Sequence, residues 1–74
     1  MFDFHLVFTN GITYDVKNVK EVDVEYHNTD RHLSGDDILS ISYPLGGMRL
    51  HTPDGCIVIA GKDLLVVDIL KRDI

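Results

Sequence analysis

The chain has no tryptophan, a single cysteine, and no apolar run approaching the length of a membrane span. With Cys56 alone, an intramolecular disulfide framework and a multi-cysteine zinc site are both excluded, and a lone thiol suits a reducing compartment. A membrane-crossing helix needs about 20 consecutive apolar residues, so no membrane association is expected. The start, MFDFH, lacks the basic region and apolar stretch of a secretory signal. The expectation is a cytoplasmic protein, in the producing cell or in a host. Basic residues are also scarce, seven against twelve acidic, for a net charge of −5. That balance disfavours direct binding to a nucleic-acid backbone. Seventy-four residues allow one domain, spanning 1–74. A chain this short buries only about 60% of its unfolded surface, so it needs an unusually good core or self-association.

What the chain does have is a repeat. Leu6 to Val24, LVFTNGITYDVKNVKEVDV, is echoed by Leu50 to Ile69, LHTPDGCIVIAGKDLLVVDI. With Gly11 placed on Gly55, Leu6, Ile12, Tyr14 and Val16 fall on Leu50, Cys56, Val58 and Ala60. One extra residue between strands then carries Val22, Asp23 and Val24 onto Val67, Asp68 and Ile69. Each copy reads as strand, Gly-tipped turn, strand, corner, strand, giving related units over about 2–26 and 46–70.

Period-two alternation sets the expected elements. Phe2 to Phe8 is a strand with Phe2, Phe4, Leu6 and Phe8 inward, and Ile12 to Val16 is its hairpin partner. A two-residue Asn10-Gly11 loop would place apolar and polar residues on one face, which a half-buried sheet does not tolerate. A three-residue Thr9-Asn10-Gly11 loop pairs Phe8 with Ile12, Leu6 with Tyr14 and Phe4 with Val16, with Gly11 in the left-handed slot. A corner at residues 17–20 leads to a third strand, Glu21 to Tyr26, with Val22, Val24 and Tyr26 inward. Residues 27–37 read as a polar loop. Ile38 to Tyr43 is expected as a fourth strand, joined through a Pro44-Leu45-Gly46-Gly47 turn to Met48 to Thr52. That turn would pair Tyr43 with Met48 and Ile41 with Leu50. The Thr52-Pro53-Asp54-Gly55-Cys56 turn would then pair Leu50 with Val58 and Met48 with Ala60. A last strand, Leu64 to Leu70, follows Gly61-Lys62-Asp63; its β-branched content favours strand over the helix that an Asp63 cap would permit. The expected fold is all-β: a small antiparallel barrel or strongly curved sheet of six to seven short strands built from two related meander units.

Four constellations are candidates for function. His27, Asp30 and His32 are residue types that ligate zinc, but their spacing matches no motif of known geometry, and neither a metal site nor a cofactor is expected. Glu21, Asp23 and Glu25 line one face of the third strand at about 6.6–6.8 Å intervals. That spacing is compatible with an acidic nucleic-acid mimic and equally with a solvated strand face whose charges discourage edge pairing. His5 lies on an outer face with no neighbouring nucleophile. Ser40 opposite His51 and Ser42 opposite Arg49 share one outer face in the expected register. With no nucleophile elbow or oxyanion loop, the pairing does not make a hydrolase. Gly46-Gly47 reads as a turn and not as a phosphate cradle. No enzymatic activity is expected. The fourth set is apolar: Ile57, Ile59, Val66 and Leu70 are expected to face outward, with Arg49 and His51 at the rim. A contiguous patch of that kind is rarely left exposed on a monomer, so it is the expected protein interface.

The pattern TNG-x-x-Y-x-V-x-NV-x-x-V-x-V, from Thr9 to Val24, resembles small β-rich proteins of unassigned role encoded by phages and prophages of Gram-positive bacteria. The resemblance covers about a fifth of the chain and implies no catalytic residue. It implies action by binding a host or viral protein, inside a bacterial or phage-infected cell. The sequence thus points to a non-enzymatic interaction module whose partner is a protein, a second copy of itself, or both. A ligand- or metal-binding module using loop 27–37 and the acidic mimic are the alternatives.

Overall fold

The computed structural model describes residues 1–42 and 45–73. The chain is mostly strand, arranged as two antiparallel sheets. One sheet has the order β2-β1-β7, from Thr13–Val19, Phe2–Phe8 and Leu64–Lys71; the other has the order β4-β3-β5-β6, from Asp30–Ser34, Glu21–Tyr26, Leu45–Thr52 and Gly55–Ala60. Among the described residues the sheets do not close into a barrel. Their inner faces share one core containing Phe2, Phe4, Leu6, Val16, Val19, Val22, Val24, Met48, Leu50, Ile59 and Leu64. Leu33 and Ile38, from the segment between the two units, complete it.

The two units interlock. In each, a hairpin lies in one sheet and the third strand crosses to pair with the hairpin of the other unit: β3 pairs with β5, and β7 pairs with β1. The cross-strand pairs correspond. Val22 faces Leu50 as Val67 faces Leu6, and Val24 faces Met48 as Ile69 faces Phe4. Apolar pairs of this kind are the unit of sheet stabilisation, so each unit's hairpin is completed by the other unit's last strand.

The first hairpin has the expected register, with Phe4 opposite Val16 and Leu6 opposite Tyr14. Its loop closes through the Gly11 amide donating to the Phe8 carbonyl (2.9 Å) and the Phe8 amide donating to Ile12 (2.9 Å). Gly11 holds φ +86°, a conformation a side chain resists. The expected corner at 17–20 is instead mostly strand. β2 continues to Val19 because Asn18, at φ 62°, absorbs one extra residue as a bulge and its amide donates to Asp3.

Three expectations are corrected. Residues 27–37 are not one loop: Asp30–Ser34 is strand β4, antiparallel to β3 with Leu33 opposite Val22. Ile38 does not open a strand, because Gly35–Ser40 is a 3-10 helix that turns Ile38 into the core. β5 therefore pairs with β3 and not with 38–43, and the expected Ile41–Leu50 pair does not form; Tyr43 and Pro44 lie outside the described residues. In the second hairpin Thr52 pairs with Gly55, leaving Pro53-Asp54 as a two-residue turn. That shortens the expected loop by one residue and exchanges the faces of β6. Leu50 meets Ile57 and Met48 meets Ile59; Ile59 is 6% exposed, whereas Val58 is 70% exposed.

Candidate functional site

β7 is where alternation breaks down, and the structure gives the reason. Its register against β1 shifts between Val7 and Phe8, so Leu64 opposes Phe8 while Val66 opposes Val7. Leu65 falls in that irregularity. Leu64, Val67 and Ile69 turn toward the core, and Leu65, Val66 and Leu70 are left 56%, 37% and 62% exposed. β7 is also an edge strand: β1 pairs on one side, and among the described residues no strand pairs on the other. Its C-terminal end is tied down by Arg72 to Asp3 (3.0 Å) and by Lys71 to Asp36 of the 3-10 helix (2.7 Å). Natural edges are usually blunted by charge, proline or brevity. β7 is eight residues long and carries only Asp68 among its first seven.

The interface set expected from sequence therefore divides. Val66 and Leu70 are exposed on β7, joined by Leu65. Ile57 and Ile59 belong to the inner face of β6, where Ile59 is core and Ile57 packs against it. Burying the larger pair and exposing Cys56, Val58 and Ala60 removes more apolar area from water than the reverse. Arg49 and His51 lie on β5 in the opposite sheet, so they do not rim the β7 surface.

The acidic row and the histidines meet on the outer face of the four-stranded sheet. Pairing sets His32 of β4 beside Asp23 of β3, Asp23 beside Arg49, and Glu21 between Ser34 and His51. His32 bonds Asp23 through Nδ1 (2.5 Å) and Glu21 through Nε2 (2.7 Å). A carboxylate only accepts, so both ring nitrogens carry protons and the ring is an imidazolium. The other Asp23 oxygen accepts from His51 Nε2 (2.8 Å). These bonds to His51 and His32 hold the Asp23 carboxyl below its usual range, and the bonds to Asp23 and Glu21 raise the His32 pKa. The linkage Glu21–His32–Asp23–His51 fastens β4 to β3 and β5. It also partly neutralises the row that a mimic would need to present. An open groove of about 470 Å³ beside it is lined by Glu25, Asp30, Arg31, Gly47 and Arg49 among others, with charges of both signs.

The remaining candidates stay apart. His27 is exposed in the β3–β4 turn, away from the His32 linkage. Among the described residues no group of three or more His, Cys, Asp or Glu side chains is arranged to hold a metal ion. Ser40 is not opposite His51; its hydroxyl donates to the Asp37 carbonyl within the 3-10 helix. His5 bonds Asp15 across the first hairpin and sits opposite Asp68 of β7. Sequence reading missed Leu65 and the His32 linkage. The first depends on an irregular register, and the second requires knowing that β4 exists. Among the described residues no helix is long and apolar enough to cross a membrane. Comparison with known proteins finds no matching family model, curated protein or solved structure.

Proposed function

We propose that this chain is a non-enzymatic protein-interaction module of the bacterial or phage-infected cytoplasm, an accessory or inhibitory partner that works through the open edge of β7. The observation that carries this reading is the combination of an unpaired edge with exposed Leu65, Val66 and Leu70 beside it. Main-chain groups along such an edge accept an added strand, and flanking side chains select it. Selecting displayed peptides against the immobilised protein, then mapping amide chemical shifts, tests the reading. Bound peptides should perturb Leu64–Lys71 first. Shifts confined to the outer face of β3 and β5, or no binder at all, would overturn it.

A further inference from the structure

The first unit shows what an edge of this kind accepts. β3 is the counterpart of β7, and its far edge carries β4, antiparallel, with Leu33 set inward opposite Val22. Val67 is the counterpart of Val22, since each faces the buried leucine of the other unit's hairpin. A strand completing β7 in the same manner must run antiparallel and set an apolar residue opposite Val67. We infer that this strand is β7 of a second copy, related by a twofold axis through Val67. The inference rests on the reading of β7 as the contact element and goes on to name its occupant.

The sequence of β7 fits itself in that register. An axis through Val67 sets the two Val67 residues opposite one another, Leu70 opposite Leu64 and Leu65 opposite Ile69. Val66 then faces Asp68 of the second copy, and Lys71 faces its Asp63. No like charges lie directly opposite between Leu64 and Lys71. Moving the axis to Asp68 would oppose two carboxylates, a destabilising cross-strand pair. An axis moved by half a residue would turn inward residues outward. The other edges offer less. β2 is broken by its bulge and carries Asp15 and Lys17, and β4 is short with Asp30, Arg31 and His32. β6 is uncharged but shorter than β7, and its counterpart β2 carries no added strand. The dimer joins the two three-stranded sheets edge to edge, β2-β1-β7 onto β7-β1-β2.

Sedimentation over a wide concentration range tests this with three variants on the solvent face. Val66→Asp opposes carboxylates at two symmetric positions and should weaken association by about tenfold. Val66→Lys opposes lysine to Asp68 and should preserve it. Adding Asp68→Lys to Val66→Asp should restore it. Amide exchange of the unaltered protein reads the same contact without substitution: β7 protection should rise with concentration while β6 and β2 stay unchanged. A monomer at every concentration overturns the inference, as does equal weakening by Val66→Asp and Val66→Lys, or no effect of Val66→Asp. A monomer that still takes up peptide strands on β7 overturns only the second-copy occupant. One that does neither overturns the interaction reading as well.

Discussion

β3 and β7 hold equivalent places in the two units, yet only β3 is flanked on both sides. Its far edge is closed by β4, and its outer face is acidic, with Glu21 and Asp23 answered by His32. β7 has no such cap among the described residues, and the positions matching Glu21, Asp23 and Glu25 are Val66, Asp68 and Leu70. The usual arrangement would be the reverse, with charge on the open edge to discourage pairing and apolar residues where a neighbour covers them. The difference teaches that the open edge is the one suited to being covered. It also shows what distinguishes the units: a segment of one strand and one 3-10 turn inserted after the first and absent after the second.

The sharpest way to break the comparison is to uncap β3. Leu33 is the only apolar residue of β4 and is 1% exposed. Leu33→Ala should cost about 3 kcal/mol, a large part of the roughly 4–11 kcal/mol expected for a domain of this size. Amide exchange should show β4 losing protection before the rest of its sheet. With the β3 edge opened, two edges per molecule can pair, so sedimentation should reveal species larger than the unaltered protein forms. Uniform loss of protection across both sheets would mean that β4 is not a separable cap.

The corners between sheets differ as well. The first unit turns through left-handed Asn18, with its amide held by Asp3. The second relies on close approach: a Cβ on Gly61 would lie 2.3 Å from the Leu45 carbonyl oxygen. Backbone must shift to relieve that contact, so Gly61→Ala should cost about 2 kcal/mol. Thermal or denaturant unfolding checks it, and an unchanged midpoint would show that the corner has slack.

Much of this architecture was legible because Phe2, Phe4, Leu6, Val22 and Val24 alternate cleanly with polar residues. A three-residue turn at Gly11 was the only one that kept those faces together. The correspondence of Val22 with Val67 and Val24 with Ile69 was also readable from the repeat. β6 was not, because Cys56, Val58 and Ala60 form as plausible an inner face as Ile57 and Ile59. Alternation cannot choose a register when both faces are apolar, and the shorter Pro53-Asp54 turn decided it. β4 was hidden for the opposite reason: with Leu33 its only apolar residue, DRHLS carries no period to detect. Hence the polar half of the candidate site, which depends on β4, was invisible, while Val66 and Leu70 could be named from β7 alone.

The smallest effect concerns how firmly β4 caps β3, and it varies with pH. His32 is held by Asp23 and Glu21 on β3; Asp23 also bonds His51 of β5 and lies opposite Arg49, the other charged group facing it. The folded His32 pKa is raised, so its contribution is fully present below the unfolded value of about 6.5 and fades as pH rises through the higher folded value. The folded Asp23 pKa is lowered, so its contribution is present above about 4 and fades as pH falls through the lower folded value. β4 should therefore be held best between about pH 4 and 6.5. After correction for intrinsic exchange, Arg31–Leu33 amides should be less protected at pH 8.5 than at pH 6, with β7 unchanged. His32→Gln keeps a hydrogen-bonding side chain but cannot carry the charge, so it should flatten the dependence. A pH response that survives in His32→Gln would assign it to another group and leave the cap's strength to Leu33 and the backbone ladder alone.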